Sequence, residues 1–240
     1  MSLLLVAHGT RKRQGVSMVG DLADRVTAML GHTVHVAFVD VLGPTPSEVL
    51  ADWHDRPAIV VPAFLSRGYH VRADIPAHVA DSGHPDVTVT PALGPDPQMI
   101  RVMAGRLVES GWRPGDSVVL AAAGTSDPTA QRDLHTTATW LSALTGSRVE
   151  PAFAATGTPR VADAVTALRR DGARRVVVAS YLLADGLFQD RLRASGADVV
   201  TDPLGLHPGA VRLVAARFRR ARLPQPAGRW AVTRDRGEVA

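Results

Sequence analysis

The chain has 240 residues, 45% of them hydrophobic and 21% charged, and no apolar run long enough to cross a bilayer, which excludes a disordered polypeptide and a membrane-spanning helix. Cysteine is absent, which removes disulfides, thiolate metal ligands and cysteine nucleophiles together and suits a reducing cytoplasm. The formal net charge of +4 rests almost wholly on arginine, with Lys12 the single lysine; the cations are scattered and aromatics amount to 5%, which argues against nucleic acid and leaves either an arginine-rich composition or an anionic ligand as the explanation.

In chain order, residues 3–7 form a short apolar run that reads as a buried parallel strand, too short for a signal-peptide core. Val16, Val19, Leu22, Val26 and Met29 then recur at helical spacing, and Val34, Val36 and Phe38 alternate as a strand. Thr45-Pro46-Ser47-Glu48 is a capping box with proline at the first helical position. Residues 58–62 and 87–90 read as further strands, and a helix is expected to start near Asp74. Asp96-Pro97 caps a helix that should run to about Glu109. The alternation implies an α/β fold with a parallel sheet and helices on both faces.

The pattern then repeats. Ala7-His8-Gly9-Thr10 matches Ala122-Ala123-Gly124-Thr125, and Ala37-Phe38 matches Ala152-Phe153, both at an offset of 115. Phe64-Leu65 and Gly68 match Tyr181-Leu182 and Gly186, the glycines at an offset of 118, and Leu93-Gly94 matches Leu204-Gly205 at 111. The chain therefore reads as an internal duplication: one lobe at 1–112, a second at 113–223 after the Arg113-Pro114-Gly115-Asp116 linker, a cleft between them, and a flexible tail at 224–240.

The copies differ where chemistry is expected. His8 corresponds to Ala123, and His70 to Phe188 or a neighbour. A structural role would keep the histidines in both lobes, so their restriction to one suggests a single site. His8 follows the first strand and His70 follows the third, and ligands of open parallel sheets bind at those carboxyl ends. Asp40, at the end of the second strand, is a candidate for a third metal ligand or a proton acceptor on the same edge. Among the other histidines, His32 and His35 have the spacing of a metal pair but are set aside, His54, His84, His135 and His207 read as surface or loop residues, and His78 could lean toward the cleft. Asp133 and His135 near Ser126 invite a hydrolase reading, but no Gly-x-Ser-x-Gly elbow, P-loop or dinucleotide fingerprint is present.

Leu4-Leu5-Val6-Ala7-His8-Gly9-Thr10-Arg11 resembles the opening motif of the sirohydrochlorin cobalt/iron chelatases, the class II chelatases. The stretch from Pro62 through Phe64-Leu65-Ser66-Arg67-Gly68-Tyr69-His70 to Asp74-Ile75-Pro76 resembles their second motif in order and spacing. The resemblance covers the chain in the long, two-lobe form with the active histidines in the N-terminal lobe. It implies insertion of Fe²⁺ or Co²⁺ into sirohydrochlorin, on the route to sirohaem or cobalamin, with the metal as substrate and no organic cofactor. It also implies His8 and His70 as catalytic and metal-binding residues. The family commonly has Glu where this chain has Asp40, whose shorter side chain sets the carboxylate back. The tetrapyrrole's carboxylates would meet Arg11, Lys12, Arg13, Arg67 and Arg72, helped by the positive end of the helix near Asp74. Neither nucleic acid nor a membrane is expected as a partner. The competing readings are a non-catalytic metal or tetrapyrrole carrier and a histidine phosphatase; the latter needs Arg before His-Gly, where this chain has Ala7.

Overall fold

A computed structural model of the chain describes residues 1–10 and 12–222. Arg11 and the expected tail at 224–240 lie outside the described residues. The first half contains β1 (Ser2–Ala7), α1 (Arg13–Leu30), β2 (Val34–Phe38), α2 (Pro46–Ala51) and β3 (Ala58–Pro62). A π-helical turn (His70–Asp74) then runs into α3 (Ile75–Asp81), followed by β4 (Val87–Val89) and α4 (Pro97–Glu109). The second half contains β5 (Ser117–Ala122), α5 (Pro128–Thr145), β6 (Val149–Phe153), α6 (Val161–Arg170), β7 (Val176–Tyr181), α7 (Leu187–Arg193), β8 (Val199–Val200) and α8 (Pro208–Arg222).

Each half builds a four-stranded parallel sheet, with orders β2-β1-β3-β4 and β6-β5-β7-β8. The registers match: Leu3 pairs with Val34 and Ile59, and Val118 pairs with Val149 and Val177. These pairings reproduce the offsets of 115 and 118 found by matching letters, so the duplication holds at the level of the hydrogen-bond ladder.

Local signals explain where the helices begin. Thr45 accepts from the Glu48 N–H and the Glu48 carboxylate accepts from the Thr45 N–H at 2.7 Å, completing the capping box. Asp96 accepts from the Gln98 N–H at 2.8 Å to start α4. The helix expected at Asp74 begins earlier. Its first turn opens at His70, so Asp74 lies inside the helical run and the positive end sits at the histidine instead. Pro76 accounts for the widened turn: it has no N–H for the Arg72 carbonyl and its ring needs room there, while the Ile75 N–H reaches back five residues to His70.

β1, β3 and β7 are buried on both faces, which is why they read as continuous apolar runs. Leu4 and Val6 face outward onto Leu50, Trp53 and Ile75, while Val119 and Ala121 face onto Val161, Val165 and Leu192. Leu3, Leu5, Val118 and Leu120 point inward to one core shared by both lobes. The halves exchange helices across it: α4 packs on α5 and β7, and α8 packs on α1 and β3. They cross closely at Gly209, where a Cβ would lie 2.6 Å from Val102. Arg217 of α8 secures the exchange by bonding Asp96 at 2.9 Å and the Ala92 carbonyl at 3.0 Å. Asp116 holds the linker, accepting from the Arg113 N–H and from Arg175.

Two of the histidines read as surface or loop residues lie in loops but are not on the surface. His84 is buried, its Nε2 within 3.0 Å of the Trp53 carbonyl and its Nδ1 accepting from the Asp86 N–H; it closes the loop before β3. His207 is half-buried beside Glu109, and burial pushes its pKa down. His78 bonds Ser47 at 3.1 Å.

Candidate active site

The end of β1 and the turn after β3 bring His8 and His70 together. Their ring centroids lie 4.6 Å apart at an interplanar angle of 89°. Gly9 makes this possible: its φ is +94°, and a Cβ there would sit 2.1 Å from the Asp40 carbonyl. The His8 Nδ1 faces the Gly9 carbonyl at 3.1 Å, and the His70 Nδ1 faces the Asp74 carboxylate at 2.5 Å. Both contacts put an acceptor at Nδ1. Each neutral ring therefore carries its proton there and leaves the Nε2 lone pair free to bind a metal or take a proton. Phe64 and Tyr69 lie 5.9 and 6.3 Å from His70 by ring centroid.

Asp74 is a site residue that the sequence reading treated only as a helix start. Its signal was the i, i+4 spacing from His70, which puts a carboxylate one turn from an imidazole. Asp40 is differently engaged. Its N–H donates to the His8 carbonyl at 3.1 Å, and its carboxylate accepts from the Val41 N–H at 2.6 Å. Val41 has a φ of +71°, a left-handed value unfavourable for a β-branched residue, and the Asp40 side chain helps hold it. Among the described residues no three His, Asp or Glu side chains gather as a metal cluster.

Three of the cations expected to meet an anionic ligand, Arg67, Arg72 and Lys12, are paired with the second lobe. Arg67 bonds Asp133 at 2.6 Å through Nη2, and its backbone N–H reaches the same carboxylate at 2.8 Å. Asp133 is 2% exposed, and its hydrogen bond and charge hold the Arg67 pKa above the ordinary value. Arg72 pairs with Asp127 and Lys12 with Asp190, and each cation pulls its partner's pKa below the ordinary carboxylate value. Arg13 lines a cavity of about 550 Å³ with Asp21, Arg106, Asp185 and Asp202. Tyr181, also missed, donates from β7 to the Leu65 carbonyl at 2.8 Å, and burial pushes its pKa up so that it stays a donor. Neither Asp133 nor Tyr181 carries a local signal, because each partner comes from the other half of the chain.

Comparison with known proteins gives this arrangement a family. A sirohydrochlorin ferrochelatase of Priestia megaterium is 24% identical over 91% of this chain and 89% of its own length. A sirohydrochlorin cobaltochelatase of Methanothermobacter thermautotrophicus is 28% identical over 45% of this chain and 90% of its own, so it is about one lobe long. The structure of SirB from Bacillus subtilis with Fe³⁺ superposes with a TM-score of 0.80 at 20% identity, over 92% of this chain and 94% of that one. The CbiX family model matches residues 2–110 and matches again at residues 117–221. One lobe-sized pattern thus fits each half of the duplicated sheet, and the chain belongs to the CbiX family.

Proposed function

We propose that this chain inserts a divalent metal ion, Fe²⁺ or Co²⁺, into sirohydrochlorin, with His8 and His70 meeting the ion and taking up the pyrrole protons. The observation that carries the proposal is the histidine pair itself, two imidazoles 4.6 Å apart with an acceptor at each Nδ1 and a lone pair at each Nε2. Insertion exchanges one dication for two ring protons, so charge balances without an oxidant or reductant. Neutral imidazole suits iron and cobalt alike, and relatives named for each metal occur. Asp74 fixes the orientation of the His70 ring. The phosphatase alternative lacks its phosphate-gripping arginine, since buried Ala7 stands before His8.

Arg11, Lys12, Arg13 and Arg72 remain the proposed grips for the substrate's carboxylates. Arg67 joins them only through the part of its guanidinium that Asp133 leaves free. A ligand role for Asp40 would require it to release the Val41 N–H. The lobes are taken as 1–112 and 113–223, a division supported by the gap between the two family matches and by the anchored linker. Among the described residues no helix is long and apolar enough to cross a membrane, and the proposal carries a cytoplasmic location.

The test is metal insertion into sirohydrochlorin followed by absorbance, with Fe²⁺ and Co²⁺, for wild type, His8→Ala and His70→Ala. The expected result is turnover by wild type and a fall to the spontaneous rate in both folded variants, a loss of about a hundredfold or more. Binding of the tetrapyrrole without acceleration by wild type would replace the enzyme with a carrier.

A further inference from the structure

The interlobe ion pairs contain a symmetry that neither lobe displays alone. Lys12 is the N-cap of α1 and Asp127 the N-cap of α5, 115 residues apart, the offset relating β1 to β5. Arg72 and Asp190 are 118 residues apart, the offset relating β3 to β7. The two pairs, Lys12 with Asp190 and Arg72 with Asp127, are therefore the same contact made twice about the internal pseudo-twofold. A simple duplicate would carry one cation and one acid in each lobe. Here both cations stand in the lobe with the histidines and both acids in the lobe without them.

Stability does not explain that sorting. The lobes already share a continuous apolar core and exchanged helices. In both pairs the cation is about half in solvent, Lys12 44% and Arg72 52% accessible, and only Asp127, which also caps α5, is largely buried at 11%, so the pairs contribute little beyond that cap to holding the lobes. Position suggests another role. Lys12 is four residues beyond His8 on the β1–α1 turn, and Arg72 lies in the same π-helical turn as His70.

We propose that Asp127 and Asp190 are positioning residues that act as built-in stand-ins for substrate carboxylates. They hold Lys12 and Arg72 extended beside the histidines and are displaced when the tetrapyrrole's own carboxylates arrive. This rests on the chelatase reading for the identity of the substrate, not for the contact. The arrangement also sets specificity. A single carboxylate exchanges one ion pair for another and gains nothing, whereas a ligand presenting several at fixed spacing displaces both aspartates in one binding event.

The test is the Asp127→Asn/Asp190→Asn double variant. Asn caps a helix as well as Asp, so α5 keeps its start while the negative charge is lost. With sirohydrochlorin, KM should fall about threefold or more, with kcat within about twofold of wild type. Calorimetric titration with benzenehexacarboxylate should tighten by a similar factor, and acetate should become a measurable competitor. Restoring the charge at one position, in Asp190→Glu on the Asp127→Asn background, should return part of the weaker binding. A KM that is unchanged or raised, or benzenehexacarboxylate binding that does not tighten, would overturn the proposal. If benzenehexacarboxylate tightens but wild type does not turn over sirohydrochlorin, the stand-in role holds and the chelatase reading fails.

Discussion

At the end of β1 the chain places His8, and at the matching end of β5 it places Ala123; in the helical turn after β3 it places His70 and Asp74, and after β7 Phe188 and the buried Leu192. The ladders beneath these positions are in the same register. The contrast separates two demands on one scaffold. Apolar burial on both faces of the strands is needed in both lobes and is kept in both. The imidazole pair with its carboxylate occurs once, and the second lobe supplies aspartates and a tyrosine to the first.

Three measurements would break or sharpen that contrast beyond the histidine variants. The largest effect is expected at Asp74. Asp74→Asn keeps a hydrogen-bonding side chain but removes the carboxylate that orients His70, and metal insertion should fall about ten- to hundredfold. Asp74→Glu should recover part of it. Equal, full activity in both variants would make Asp74 a helix residue like Leu192.

A smaller effect is expected where the second lobe supports the first. Arg67→Ala leaves the Asp133 carboxylate, 2% exposed, with the backbone N–H of residue 67 as its remaining partner in the described contacts to that segment. Unfolding in denaturant should show a loss of about 1–2 kcal/mol, reduced from a fully buried pair because Arg67 is itself half in solvent. An unchanged midpoint would mean that water replaces the guanidinium at no cost.

The smallest effect is expected from acid. Asp127 and Asp190 have native pKa values held below the ordinary carboxylate value by Arg72 and Lys12. Folding therefore binds fewer protons than unfolding. Their contribution is complete above the unfolded-state carboxylate pKa and disappears as pH falls through the lowered native values. The stability difference between wild type and the Asp127→Asn/Asp190→Asn variant should be constant near neutrality and vanish in strong acid. A difference that appears instead between pH 6 and 8 would point to a histidine.

Much of this was legible in the letters. Capping boxes, strand runs and the ordered repeat depend on neighbours within a few residues or on a pattern occurring twice, so Thr45, Asp96 and the alignment of His8 with Ala123 could be read directly. The His70–Asp74 pair was within reach through its spacing, but an expected helix start at Asp74 concealed it. The widened turn forced by Pro76 moved that start to His70. Arg67, Arg72 and Lys12 were visible as cations beside the histidines, while their partners were not, because Asp133, Asp127 and Asp190 lie 66, 55 and 178 residues away along the chain.

The sequence by itself determined the α/β class, the duplication and the confinement of the histidines to one lobe, because burial periodicity, helix caps and motif spacing are local properties. Only the tertiary structure decided that α4 and α8 trade lobes, that Lys12, Arg67 and Arg72 face aspartates of the other half, and that Asp40 holds its own loop. Those outcomes depend on which apolar faces meet across the shared core. An apolar stripe on a helix specifies that it must be covered, but not by which half of the chain.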